Sequence, residues 1–395
     1  MTTDAIGSAR RWSILGLALT ATMCANVFIN GVAFLIPVLH SDRGLDLARA
    51  GLLSSLPSFG LVATLIAWGY LVDRLGERLV LVAGSALTAL ATFGAASASS
   101  EGSLTATGAF LLLGGMAAAS SNTASGRLVV GWFPAHQRGL AMGIRQTAQP
   151  LGVGLGALVI PRLAEHHGIG VALLFPAAVC AAAALACAVG VSDPPRPPRD
   201  EAPAEHLANP YRGSALLWRI HAMSVLLVVP QVMVWTFMLV WLMSERGWSA
   251  GAAGALVTVS QLLGAAGRIG AGRWSDRVGS RLRPVRTIAV AAALTMLALA
   301  VTAWAGSPIS VALIVVASVI TVSDNGLAFT AIAEIAGPFW SGRALGAQNT
   351  SQHFAGGLAP PLFGTLIGVA GYPVAFAVCA LFPLAALPVV PADPD

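Results

Sequence analysis

The stretch GYLVDRLGER, residues 69–78, lies between two long apolar runs and combines glycines with charged residues. A second copy, GRWSDRVGSR, occupies residues 272–281, and its shared Gly, Asp and Arg positions each lie 203 residues after the first. A different stretch, GIRQTAQ at residues 143–149, is matched by GAQNTSQ at residues 346–352 with the same offset. Two unrelated motifs at one spacing indicate that the chain is a duplicated unit.

The composition indicates that lipid is the solvent of this chain. Of its 395 residues, 56% are hydrophobic and 10% are charged, whereas soluble proteins carry about 25% charged residues. About 20 apolar residues span a bilayer as a helix. By this measure we predict twelve spans, at residues 12–39, 49–70, 79–99, 104–131, 139–162, 168–191, 215–243, 249–272, 284–305, 308–335, 343–368 and 371–391.

A charged, proline-rich segment interrupts the apolar pattern in mid-chain. Residues 192–213, SDPPRPPRDEAPAEHLANPYRG, have the composition of a linker. We therefore predict an all-α integral membrane protein with a six-helix bundle at 1–191, a cytoplasmic linker at 192–213 and a second six-helix bundle at 214–395.

Arginine placement predicts the orientation in the membrane. With both termini in the cytoplasm, fifteen arginines fall inside and four outside, in agreement with the positive-inside rule. The inside set is Arg10, Arg11, Arg74, Arg78, Arg138, Arg196, Arg199, Arg212, Arg219, Arg273, Arg277, Arg281, Arg283, Arg286 and Arg343. The outside set is Arg43, Arg49, Arg162 and Arg246. The sequence thus predicts a multi-pass protein of the plasma or inner membrane.

These features together resemble the major facilitator superfamily. Both Gly-x-x-x-Asp-Arg-x-Gly copies fall in a predicted short loop after the second span of each half. The resemblance covers essentially the whole chain. It implies two pseudo-symmetric bundles, a central substrate site, alternating access and function as a monomer. The stretch WFPAHQRG, residues 132–139, looks like the turn between the fourth and fifth helices of organic-anion and monocarboxylate branches. Phe110 departs from the arginine found in many drug exporters, which disfavours that type.

The repeated loop motif suggests a gate. A carboxylate at a helix end can pair with an arginine or bind a helix N-terminus in one conformation and release it in another. The alternative is that these charges only anchor the loop in the cytoplasm. Arg127 and Arg268, near the cytoplasmic ends of their spans, either join this gate or snorkel to the interface. The residues that we assign to the gate are Asp73, Arg74, Arg78, Arg127, Arg268, Asp276, Arg277 and Glu334.

Polar residues at membrane depth predict the substrate site. A charge at the bilayer centre costs at least about 2.5 kcal/mol, so it normally faces a cavity or a partner. Arg145 lies inside the fifth span, and a helix would place Gln149 on its face at i+4. A guanidinium among amides is suited to a carboxylate or phosphate; the alternative is that Arg145 only pairs internally. The predicted substrate residues are Arg145, Gln149, Gln348, Asn349, Gln352, His353, Asn30, Asn122 and Trp235.

Asp324 lies near the middle of the tenth span and is the predicted proton-coupling residue. A buried carboxylate can bind and release a proton, or neutralise Arg145 while the site is empty. The alternative is a hydrogen bond that only packs helices. We predict no cofactor, no metal, no nucleic acid and no enzyme activity, because no catalytic triad, metal cluster or phosphate loop is apparent.

The sequence-level hypothesis is secondary transport of a small organic anion of the carboxylate type, coupled to protons or to a counter-anion. Two alternatives stay open. One is efflux of a drug-like or neutral metabolite, and the other is a sensor that binds solute without moving it.

Overall fold

The computed structural model describes residues 6–41, 45, 47–195 and 201–392, and within these ranges it contains helices, turns and no strand. Three arginines used to predict orientation, Arg43, Arg196 and Arg199, lie outside the described residues. Part of the predicted linker lies outside them as well.

Fourteen α-helices and one 3-10 turn, Val32–Leu35, follow one another along the described chain. The helices are α1 Ser8–Gly31, α2 Ile36–Ser41, α3 Leu47–Leu75, α4 Glu77–Ser100, α5 Leu104–Trp132, α6 Ala135–Arg145, α7 Ala148–Gly190, α8 Ala204–Leu207, α9 Leu216–Ser244, α10 Ala250–Val278, α11 Leu282–Trp304, α12 Ile309–Ile320, α13 Asn325–Ala336 and α14 Ser341–Ala386.

Ten helical stretches in the described residues are long and apolar enough to cross a membrane. Two of them, Ala135–Gly190 with 56 residues and Ser341–Ala386 with 46, are long enough for two spans each. Each contains one non-helical glycine, Gly168 or Gly371, with φ of 81° or 79°. These glycines are 203 residues apart, the offset of the sequence repeats. The predicted twelve-helix fold is confirmed.

Two spans that the sequence predicts as continuous helices are interrupted. The fifth span breaks between α6, which ends at Arg145, and α7, which begins at Ala148. The tenth breaks between Ile320 and Asn325, where residues 321–324 form turns. Gln146 and Thr147 keep right-handed helical dihedrals, with φ of -69° and -74°, so the placement of Gln149 one turn after Arg145 stays a prediction. Irregular backbone at membrane depth is tolerated where it is buried in protein or lines a cavity.

The contacts between residues divide the chain into two compact units. Each unit consists mostly of one half of the sequence and includes one short segment of the other half. Unit 1 comprises residues 1–133, 147–208 and 336–350, and unit 2 comprises 134–146, 209–335 and 351–395. Residues 134–146 belong to unit 2 and residues 336–350 belong to unit 1, although each of these two exchanged segments comes from the other half of the sequence. The predicted domain boundaries, at 191 and 214, therefore stay a prediction.

Each unit has its own apolar core. In unit 1, α5 packs on α3 and α4, and α7 packs on α1 and α4, around a core that includes Phe28, Leu61 and Leu111. In unit 2 the core includes Trp241 and Phe376, whose rings meet edge to face at 5.9 Å. Other large apolar side chains are exposed, Leu90 at 66% among them, as expected for helices that face lipid.

Paired glycines bring each exchanged segment against the helix that carries the repeated motif. A Cβ added to Gly69 would lie 2.3 Å from the carbonyl oxygen of Gly342, and one added to Gly272 would lie 2.0 Å from that of Gly139. Gly272 and Gly342 follow Gly69 and Gly139, respectively, by 203 residues. Both units therefore contain the same backbone crossing, and in each the crossing requires the absence of a side chain.

We expect Gly168→Ala to lower the melting temperature of the purified protein. Gly168 has φ 81° and ψ 171°, a backbone region that is essentially restricted to glycine and costs other residues about 1–3 kcal/mol. An added Cβ would meet no atom within 4 Å, so the backbone strain is the only penalty. The measurement is thermal unfolding in detergent.

Gly154→Ala is the matched control for this prediction. Gly154 is in the interior of α7, has no positive φ, and also has nothing within 4 Å of an added Cβ. Because alanine favours a helix over glycine, Gly154→Ala should keep or raise the melting temperature. A melting temperature for Gly168→Ala equal to that of the control would contradict the prediction.

Candidate functional site

In unit 1, Asp73 binds the beginning of α14. Its Oδ1 accepts a hydrogen bond of 2.8 Å from the amide of Gly342, and its Oδ2 accepts one of 3.1 Å from the amide of Arg343. The side chain of Arg343 adds a bond of 3.0 Å from Nε to Oδ2. Amides at the start of a helix lack intrahelical acceptors and carry partial positive charge, so a carboxylate there is favourable.

Arg127 completes this cluster with two buried carboxylates. Its Nη1 lies 2.6 Å from Oδ1 of Asp73 and its Nε lies 3.1 Å from Oε1 of Glu77. The side chains of Arg127, Asp73 and Glu77 are 4%, 1% and 0% exposed. Arg127 thus points into protein instead of snorkelling to the interface. Glu77 was missed at the sequence level, although its position directly after the glycine of the motif was a usable signal.

In unit 2, Asp276 makes the equivalent contacts with α6. Its carboxylate accepts hydrogen bonds from the amides of Gly139, at 2.9 Å, and Leu140, at 2.8 Å. Gly342 and Arg343, the partners of Asp73, lie 203 residues after Gly139 and Leu140. The carboxylate of each motif copy therefore binds backbone amides in the first turns of the exchanged segment of its unit.

The arginines around the second carboxylate differ from those around the first. Arg281 Nη1 lies 2.6 Å from Asp276, and its Nη2 lies 3.2 Å from Glu334, which Arg138 also contacts at 3.2 Å. Burial lowers the pKa of the Arg281 guanidinium, but the bonds and charges of Glu334 and Asp276 outweigh burial and raise that pKa above its ordinary value. Glu334 thus pairs with Arg281 and Arg138, while Arg343 binds Asp73.

The remaining motif arginines lie at the surface. Arg74 and Arg277 are exposed, and Arg74 lies over the ring of Tyr70 at 5.1 Å. Arg78 is exposed too, and its amide donates a 2.7 Å hydrogen bond to Asp193. These contacts hold the end of unit 1 together without involving the carboxylate of Asp73.

Two buried arginines of unit 2 meet at the break in the fifth span. Arg145 is 3% exposed and donates a 2.8 Å hydrogen bond from Nη1 to the side-chain oxygen of Gln146. Arg268, also 3% exposed, donates a 2.9 Å bond from Nη1 to the backbone oxygen of Gln146. The residue four positions later is Pro150, which has no amide hydrogen, so this carbonyl lacks a helical donor and can accept from a side chain. Gln146 was not predicted, although it is the neighbour of Arg145 in sequence.

The position of Arg268 differs from the gate role assigned from sequence. Its guanidinium lies over the ring of Trp235 at 5.8 Å and interacts electrostatically with Arg145 and Asp324. The contacts described for Asp276 go instead to Arg281 and to backbone amides. Arg268 therefore shares its surroundings with two residues that were predicted for substrate binding, Arg145 and Trp235.

Asp324 is 2% exposed and lies in the turn between α12 and α13. Its Oδ2 has no hydrogen-bond partner, and Arg268 is a cation within electrostatic reach. A hydrogen bond to Asn325 or a neighbour that only packs helices stays the alternative to a proton-coupling role. A buried carboxylate oxygen without a donor is costly, and such atoms commonly have a functional explanation.

A network of amides and one hydroxyl lies in the same unit. Asn325 donates a 2.8 Å hydrogen bond to Gln231, and Gln352 donates to Ser224, at 2.8 Å, and to Asn325, at 3.2 Å. Of these residues only Gln352 was predicted for the site. The network links α9, α13 and α14 by polar bonds at membrane depth, where unsatisfied polar groups are unfavourable.

The other predicted substrate residues are found in both units. In unit 1, Asn30 donates to Asn26 Oδ1 at 3.2 Å and Asn349 donates to the backbone of its own helix at 2.9 Å. Gln348 is fully buried, whereas Asn122 and Gln149 are half-buried. In unit 2, His353 is exposed.

The four cysteines are buried and free, and no cluster of three His, Cys, Asp or Glu side chains that could hold a metal occurs within the described ranges.

Twelve spans, broken helices with buried charges and a repeated carboxylate cap define a multi-pass membrane transporter. The chain belongs to the Major Facilitator Superfamily, whose model matches residues 17–360 and, separately, residues 231–394. An uncharacterized MFS-type transporter of Mycobacterium tuberculosis is 59% identical over 391 residues, which cover 99% of this chain and 87% of that one.

The chain is also similar to two further proteins. A gallate transporter of Pseudomonas putida is 30% identical over 325 residues, covering 73% of this chain and 70% of its own. Among solved structures, an MFS proton:xylose symporter superposes with a TM-score of 0.77 at 16% identity, covering 97% of this chain and 95% of that one. At this identity the likeness establishes the fold alone.

We expect Arg127→Gln to destabilise the protein strongly. The change removes the cation between Asp73 and Glu77, which are 1% and 0% exposed, and removing one partner of a buried ion pair costs about 3–5 kcal/mol. Thermal unfolding should show a fall of several degrees, or loss of folded protein. Adding Glu77→Gln to this variant should recover part of the loss, because the second change removes a buried negative charge.

The matched control is Arg138→Gln, which breaks a pair whose side chains are 23% and 22% exposed. More exposed pairs contribute about 0–1 kcal/mol, so the control should change the melting temperature little. Equal melting temperatures for the two single variants would contradict the prediction.

Proposed function

We propose that this protein is a secondary active transporter of a small organic anion with a carboxylate group, working by alternating access in the cytoplasmic membrane with both termini inside. The observation that carries the proposal is the pair of buried guanidiniums, Arg145 and Arg268, each bound to Gln146 at a helix break. The coupling species is a proton or a counter-anion.

The charge balance of this cluster favours an anionic substrate. Arg145 and Arg268 are within electrostatic reach of each other, and Asp324 is an acidic neighbour of Arg268. Two like charges in a low-dielectric interior repel, and a bound carboxylate would relieve both the repulsion and the desolvation. Arginine is suited to this role because its planar donors match a carboxylate.

The surroundings favour a planar substrate. Trp235 lies against Arg268 at 5.8 Å, which offers an aromatic face beside a guanidinium. Gln231, Asn325 and Gln352 add amide groups from neighbouring helices. The Pseudomonas putida relative is described as a gallate transporter, and gallate is an aromatic carboxylate. Aromatic carboxylates are therefore the first class to test.

We assign Asp324 to proton coupling. A carboxylate that is 2% exposed, with one oxygen lacking a hydrogen-bond donor, gains a partner when it is protonated or when a cation approaches. Protonation also frees Arg268 from its acidic neighbour. Proton binding at Asp324 and anion binding at Arg268 are thus linked through one electrostatic interaction.

The two carboxylate caps act as the gate. Asp73 and Asp276 each bind amides of a segment that the chain contributes from the other sequence half. Alternating access requires contacts that form in one state and break in another. Because the caps consist of a few hydrogen bonds at helix beginnings, they meet this requirement without disturbing either apolar core.

We expect Arg145→Gln to abolish uptake of the transported carboxylate while the protein stays folded. The substitution removes one of two cations that would bind the anion. Uptake is measured in proteoliposomes with a panel of gallate, benzoate, aliphatic carboxylates, phosphate and a neutral sugar, preceded by a thermal-shift screen, since a ligand of the folded state raises its stability. Arg162→Gln, at an exposed arginine, is the control and should transport normally.

Full carboxylate uptake by Arg145→Gln would overturn the anion proposal. Transport of the sugar alone, or of drug-like cations alone, by the wild-type protein would do the same. Binding without counterflow in vesicles would indicate a sensor.

We expect Asp324→Asn to separate exchange from proton-driven accumulation. Asparagine has nearly the shape of aspartate but cannot take up a proton, so counterflow of substrate should persist while a pH gradient no longer drives accumulation. Both are measured in the same proteoliposomes with an imposed gradient. Proton-driven accumulation that is undiminished in Asp324→Asn would exclude this residue as the coupling group and would leave the anion site untouched.

A further inference from the structure

A cavity of about 570 Å³ lies in unit 2, at the opposite end of α10 from Asp276. Its walls are mostly apolar and come from the first part of α10, the first turns of α12 and the loops that precede both helices. The lining includes Arg246, Trp248, Leu256, Pro308, Val311 and Val315. None of them belongs to the charged cluster proposed for transport.

Arg246 is the one cation of this lining. Its guanidinium stacks over the ring of Trp241 at 4.9 Å, and its Nη1 donates a 3.0 Å hydrogen bond to the backbone oxygen of Gly306. The Nε atom is buried and has no hydrogen-bond partner. The ring contact and the bond to Gly306 hold the guanidinium in a fixed orientation at the lining of the cavity, where its positive charge would attract an anionic oxygen.

The cavity lies at the level of the membrane interface. Leu256 and Asp276 are separated by twenty residues of one helix, or about 30 Å, which is the thickness of the hydrocarbon core. Trp304, at the end of α11, is 81% exposed beside this level, and Trp248 lines the cavity. Tryptophan is enriched where lipid headgroups begin.

We propose that this cavity binds an anionic phospholipid of the leaflet opposite Asp276. The phosphodiester contacts Arg246, and an acyl chain lies along Leu256, Val311 and Val315. A soluble anion would pair with the guanidinium but would leave the apolar walls exposed to water. A hydrocarbon chain alone would cover the walls but would leave the guanidinium without a negative partner. A phospholipid satisfies both features of the cavity.

The test uses the full-length protein in detergent and three probes: dioctanoyl phosphatidylglycerol, dioctanoyl phosphatidylcholine and glycerol phosphate. Thermal unfolding against concentration gives an apparent affinity for each. Phosphatidylglycerol should stabilise the wild-type protein most, and glycerol phosphate should have no effect. Arg246→Gln should weaken the phosphatidylglycerol affinity about tenfold, the scale expected for one charge-assisted contact.

Two further variants control for misfolding of Arg246→Gln and for lipid that binds elsewhere on the protein. Ala312→Phe, at an exposed residue of the lining, fills the cavity and should weaken phosphatidylglycerol binding while Arg246 is kept. Arg162→Gln removes an exposed arginine of unit 1 and should leave the affinity unchanged. Unchanged affinity in both Arg246→Gln and Ala312→Phe would overturn the proposal. Equal stabilisation by glycerol phosphate would overturn it as well, in favour of a soluble-anion site.

Discussion

The structure depends on one interaction that occurs twice: a buried or half-buried carboxylate bound to backbone amides in the first turns of a helix. Asp73 binds Gly342 and Arg343, and Asp276 binds Gly139 and Leu140. At Gly342 and Arg343, the second and third residues of α14, the interaction combines the partial charge of a helix beginning with a full negative charge, whereas Gly139 and Leu140 are the fifth and sixth residues of α6. The interaction requires very close approach of two backbones, and the glycine crossings in both units provide that approach.

A second constraint is the unfavourable free energy of charge in a low-dielectric interior. Two of the chain's buried charges, Arg145 and Asp324, lie next to residues 146–147 and within residues 321–324, respectively, where regular α-helix gives way to turns. The carbonyl of Gln146 lacks a helical donor because of Pro150, and Arg268 donates to it. The apolar helices on either side keep water and lipid away from these groups, so a few charges and amides determine what the site can bind.

The parts of the fold that follow from hydropathy and spacing could be predicted from sequence. Apolar runs of sufficient length predict twelve spans, and a constant offset predicts the duplication. Gly168 and Gly371 are separated by the same offset and have the same backbone conformation. The turns at 321–324 could not be predicted, because an apolar run is compatible with both a continuous and an interrupted helix, whereas Pro150 was a sequence signal for the irregularity at 146–147. Glu77 and Gln146 were missed although each had a local signal, the motif glycine before Glu77 and Arg145 before Gln146; what the sequence does not identify is their distant partners, Arg127 and Arg268.

The two caps share their backbone geometry but differ in how far their ion pairs are shielded from solvent. The pairs around Asp73 are at most 4% exposed where they involve Arg127, whereas the pairs of Glu334 involve side chains that are 12–23% exposed. Dissolved ions screen exposed pairs more strongly than buried ones. Increasing ionic strength therefore weakens the ion pairs of Glu334 more than those of Arg127, so the contacts around Glu334 loosen before the contacts of Arg127.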